Sequence, residues 1–159
     1  MTTSEVETEP AAAPRVPWSG WERVIRAGGV VVSILATLVT ALVEIELSAF
    51  RVGSVAALLD GDSPWTGGGA LIPIATPVAV GLNLAIAWFA ETTTGRRWAV
   101  GVPWALWTLL MLAAAGTRKA EGDLLFQGDN WTVLLTITAG SLTFAVYAYK
   151  MILKPPTAS

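Results

Sequence analysis

Long apolar runs separated by short polar stretches set the pattern of this chain. Four runs stand out: IRAGGVVVSILATLVTALVEIEL over about 25–47, ALIPIATPVAVGLNLAIAWFA over about 70–90, WAVGVPWALWTLLMLAAAG over about 98–116, and WTVLLTITAGSLTFAVYAY over about 131–149. A bilayer core about 30 Å thick takes roughly 20 helical residues at 1.5 Å each. Each run meets that length and is bounded by charges, Gly or Trp. The pattern predicts an all-α integral membrane protein with four transmembrane helices in an antiparallel bundle.

The flanks read differently. Residues 1–22 predict a disordered cytoplasmic tail. MTTSEVETEPAAAPRVPWSG is polar and rich in Pro and Ala, with acids at Glu5, Glu7 and Glu9, and such a segment buries too little apolar surface to fold. It does not read as a secretory signal, because its start is acidic and no short apolar core leads to a cleavage site. Residues 23–153 form the transmembrane domain. Pro155 and Pro156 end the last helix and leave 154–159 as a short C-terminal tail.

Orientation follows from Lys and Arg near the helix ends. With four spans, one side carries Arg15, Arg23, Arg26, Arg96, Arg97, Lys150 and Lys154, and the other only Arg51, Arg118 and Lys119. That split predicts a plasma-membrane protein with both termini in the cytoplasm. Trp18, Trp21, Trp88, Trp98 and Trp131 sit at span ends, where a half-buried ring suits the headgroup layer. Trp104 and Trp107 lie deeper, three residues apart on the third helix, and read as packing or lipid contact before ligand stacking.

Composition narrows the chemistry. The chain has 159 residues, 53% hydrophobic and only 14% charged, against about 25% charged in soluble domains. Lipid therefore acts as its solvent. A net charge of −2 gives no basic face for nucleic acid. Without Cys there is no disulfide or thiolate, and without His the commonest general base and metal ligand is missing. No catalytic motif, cofactor or metal site is expected. DGD at 60–62 and EGD at 121–123 lack the spacing of an EF-hand loop.

The polar residues inside or beside the runs are the site candidates. Glu44 and Glu46 fall at the end of the first span, and a turn of 100° per residue points them to nearly opposite faces. Glu44 reads first as a boundary residue or a structurally paired one, and second as a functional carboxylate in a bundle cavity. Arg51 follows Glu44 by seven residues and would share its face if the helix continued. Asn83, in mid-span, needs partners from another helix. Glu44, Asn83 and Arg51 together form the possible polar bundle site. Pro77 predicts a bend in the second helix, with Pro73 and Pro103 nearer helix starts. Val52, Val55, Ala56 and Leu59 recur at helical spacing in the connection at 48–69, which predicts a surface helix.

NLAIAWFAETTTGRR, PWALW and RKAEGDLLFQGDNW together resemble a group of small uncharacterised four-helix actinobacterial membrane proteins, over about residues 25–150. The resemblance implies four helices, an Asn in the second and an EGD-type loop before the fourth, and it implies no chemistry. Small multidrug transporters also have four helices, but their carboxylate lies deep in the first helix, whereas Glu44 lies near the span's end. The expectation is a non-enzymatic multi-pass protein that packs against another membrane protein or itself. The alternative is a small proton- or ion-coupled transporter using an intramembrane carboxylate.

Overall fold

The structure, a computed structural model, describes residues 20–64, 68–117 and 130–153. Residues 1–19 of the expected N-terminal tail, the C-terminal tail at 154–159, and the connection carrying Arg118, Lys119, Glu121, Asp123 and Asp129 lie outside them. Trp21 and Glu22, expected in the tail, are instead the first residues of a helix. The described residues are helical: α1 (Trp21–Leu47), α2 (Val52–Leu59), α3 (Ala75–Thr94), α4 (Gly101–Gly116) and α5 (Trp131–Leu153), with a 3-10 turn at Arg97–Val100 leading into α4. Among them, Trp21–Leu47, Arg97–Gly116 and Trp131–Leu153 are long and apolar enough to cross a membrane. Four such spans were expected, and α3 is the one that falls short.

Its shortfall has a local cause. Ala70–Ile74 were expected inside the second helix but lie outside it, Leu71 in an isolated bridge and Ile74 as the N-cap of the helix. Val52 N–H donates to Ala70 C=O at 3.0 Å and Ile72 N–H to Phe50 C=O at 2.9 Å, around an antiparallel bridge between Arg51 and Leu71. These apolar residues tie the connection instead of lengthening α3. Pro73 therefore precedes the helix, and Pro77 is its third residue. A Pro in the first turn removes an N–H that has no helical acceptor, so the expected reason for a bend at Pro77 disappears. Pro103 is likewise the third residue of α4. Gly95, with φ +64°, supplies the left-handed residue that stops α3, its N–H returning to Glu91 C=O at 2.8 Å.

α1 turns polar and small residues inward and aliphatic ones outward, against an interior that also holds Trp107, Met111 and Phe144. The buried stripe of α1 is Gly29, Ser33, Thr37, Ala41 and Glu44, steps of four, four, four and three, so it is one helical face. Val31, Leu35, Val39 and Leu42 on its other faces are exposed. Hydroxyls on the buried stripe return to their own helix: Ser33 donates to Gly29 C=O at 2.8 Å and Thr37 to Ser33 C=O at 2.7 Å. Such back-bonding satisfies a hydroxyl without water. Large side chains outside and small ones in the seams are how helices pack when the solvent is hydrocarbon.

α1 packs on α3 and α4, and α5 packs on the same two, so α3 and α4 face each other across the set despite being consecutive. Cross-links fix the ends. Thr132, in α5, donates to Ser48 C=O just after α1 at 2.8 Å, and the hydroxyls of Thr76 and Thr136 meet at 3.1 Å. At the other end Tyr147 OH donates to Glu91, and Gly29 lies against Thr93. α3 and α5 therefore run side by side in the same direction.

Candidate polar site in the helix interior

Glu44 is fully buried, at 0% exposure. It lies three residues from the end of α1 with its carboxylate facing inward, and Glu46, two residues on, is exposed. The helical turn that separates the two residues explains both facts. Trp107 Nε1 donates to Glu44 Oε2 at 2.7 Å, while Ser48 Oγ donates to the Glu44 C=O at 2.7 Å and closes the end of α1. Oε1 of Glu44 has no hydrogen-bond partner.

Trp107 is the residue that the sequence reading did not assign. It is fully buried, whereas Trp104 is 45% exposed, so the two do not share an environment despite their spacing. The signal was present: an indole N–H far from a helix end needs an acceptor, and an inward carboxylate three residues before the end of α1 supplies one. The ring also packs on Phe144, with centroids 6.4 Å apart and planes at 51°.

Asn83 completes the cluster. It too is fully buried, and neither Oδ1 nor Nδ2 has a partner. Gly140 of α5 makes the approach possible. A Cβ there would overlap the benzo edge of Trp107 and lie 2.9 Å from Asn83 Nδ2. Glu44 and Asn83 therefore border the same indole, one at its N–H and the other at its far edge over Gly140. Thr108 Oγ1 is a further buried oxygen without a partner.

Arg51 is elsewhere. α1 ends at Leu47 and the chain turns, so Glu44 and Arg51 are not on one continuous helix. Arg51 Nη1 donates to Gly69 C=O at 2.8 Å, and its backbone N–H to Ser54 Oγ at 3.2 Å at the start of α2. It secures the connection between α1 and α3. The structure thus brings Glu44 and Asn83 together through Trp107 and leaves Arg51 outside.

Chemically, the site holds a carboxylate with one oxygen engaged, an amide with none, and an indole between them. Its carboxyl group is one that can gain or lose a proton. Compared with protein families, curated proteins and solved structures, the chain matches none of them.

Proposed function

We propose that the chain is a multi-pass plasma-membrane protein of four spans, α3 being the fourth, with both termini in the cytoplasm. It acts without catalysis, as an accessory partner to another membrane protein or to a second copy of itself. The observation that carries this reading is the inverted packing: Gly29, Ser33, Thr37, Glu44 and Asn83 are buried, while Val31, Leu35, Val39, Leu42, Leu84 and Leu142 are exposed. A surface of that kind is made for lipid and for other helices. α2 supports it, since its only buried residue is Ser54 and it exposes Val52, Val55, Leu58 and Leu59 towards the membrane plane. Purification of the full chain from native membranes in mild detergent tests the proposal. Co-purification of one stoichiometric membrane protein, or a defined oligomer, is the expected result, and a lone monomer would count against it.

A second reading is favoured by Glu44 and Asn83. Burying an ionisable residue in a membrane protein is costly and usually marks function. Here Glu44 Oε1 and both amide atoms of Asn83 are buried without a hydrogen-bond partner. On that reading the protein carries a proton or small cation, and Glu44 is the coupling group. Proteoliposomes decide: flux in the native protein that Glu44→Gln abolishes, with folding intact, would place transport ahead of partnership.

A further inference from the structure

A groove of about 380 Å³ lies at the opposite end of the helices from the α1–α3 connection, lined by Arg23, Arg26, Ala27, Val30, Thr94, Arg96 and Trp98. Its walls come from the first turns of α1 and from the α3–α4 turn. They are held together where Gly29 admits Thr93, a close approach that a Cβ would block. Three guanidinium groups line it. None of the lining residues is acidic, and Glu22, outside the lining, meets Arg26 at 3.8 Å. The lining is not polar throughout, because Ala27 and Val30 continue into the exposed aliphatic face of α1 at Val31. Trp21 and Trp98, 74% and 60% exposed, mark the same end, and Trp rings settle in the headgroup layer.

We infer that this groove binds the headgroup phosphate of an anionic glycerophospholipid, with the glycerol and upper acyl carbons along Ala27 and Val30. The inference rests on the membrane reading above. Guanidinium groups suit phosphate because they present several N–H donors in a fixed plane, and basic pockets between spans are where anionic headgroups lodge. The apolar wall favours a lipid over free phosphate, since an inorganic ion would leave Ala27 and Val30 uncovered.

The test uses the full chain reconstituted in vesicles of phosphatidylcholine with added phosphatidylglycerol, then extracted in mild detergent. Phosphatidylglycerol should stay with the protein in preference to phosphatidylcholine. The Arg23→Gln/Arg96→Gln double variant should retain it roughly thirtyfold less well, a factor of about five for each cation removed from the membrane surface. Arg23→Lys/Arg96→Lys should retain most of the binding, and Lys150→Gln, at the same end but outside the groove, should leave it unchanged. Equal loss with Lys150→Gln, or no preference between the two lipids, would overturn the inference. Displacement of the lipid by millimolar inorganic phosphate would also overturn it, in favour of a simple anion site. Membrane fractionation separates the two levels, because failure of the membrane reading leaves native protein in the soluble fraction whatever the lipid result.

Discussion

At the scale of single residues, Trp107 carries more than its size. Its N–H is the one hydrogen bond to the Glu44 side chain, so Trp107→Phe keeps most of the ring and strands the carboxylate. Loss of a hydrogen bond to a charged group costs about 1.5–3 kcal/mol, and denaturation in detergent should show it. Glu44→Gln keeps an acceptor for the indole and should have the smaller effect, though a larger one than Glu46→Gln on the exposed face. In the Glu44→Gln background, Trp107→Phe should cost less than in the native protein. Equal costs in the two backgrounds would mean that the pair is not coupled. Gly140 gives a second contrast. Gly140→Ala pushes a methyl into Trp107 and Asn83, and overpacking of that kind costs about 1–3 kcal/mol. Gly81→Ala, with nothing within 4 Å of the new methyl, should instead stabilise α3 by up to about 1 kcal/mol through helix propensity. If both glycines respond alike, the seam at Gly140 is not as tight as described.

At the scale of elements, apolar run length was a good guide to α1, α4 and α5 and a poorer one to α3. The fourth run starts its helix at Trp131 as expected, and the first and third shift by a few residues. Ala70–Ile74 read as helix because they are apolar, but run length cannot show that the backbone of 50–52 would pair with them. Asn83 was placed correctly in mid-helix, whereas its closeness to Trp107 depends on Gly140, some 57 positions away in α5. Glu44 was legible as inward or outward only by where α1 ends, and Ser48 and Trp107 decide that through tertiary contact. The seams use single glycines against a specific side chain. Gly29→Ala would bring a methyl 2.8 Å from Thr93 Cβ and should destabilise the α1–α3 contact by about 1–3 kcal/mol. Adding Thr93→Ala should recover part of that loss, because neighbouring sites couple. A strictly additive double variant would show that the two residues do not touch.

At the scale of the whole molecule, whether α3 crosses the membrane decides the topology, since three spans put the termini on opposite sides and four put them on the same side. α3 has 20 residues, about 30 Å at 1.5 Å per residue, which matches a hydrocarbon core. Composition counts Asn83 and Glu91 against it, yet Asn83 faces the interior and Glu91 accepts the Tyr147 hydroxyl. The residues it turns outward include Val80, Leu82, Leu84 and Trp88. Its two ends are also held to opposite ends of its neighbours, Thr76 to the start of α5 and Thr93 to the start of α1. On the four-span proposal, a helix with its ends fixed in this way between two candidate spans crosses with them. The chain has no native Cys, so single cysteines report cleanly. Ser63, in the connection before α3, and Thr92, in its last turn, are both exposed; Thr92 is a better site than Thr93, which leans on Gly29. An impermeant thiol reagent applied to intact cells should label Ser63→Cys and leave Thr92→Cys unlabelled until the membrane is opened. Labelling of both from outside, or of neither, would put the two ends of α3 on one side and reduce the protein to three spans. Labelling of Thr92→Cys alone would keep four spans and reverse the orientation expected from the Lys and Arg split.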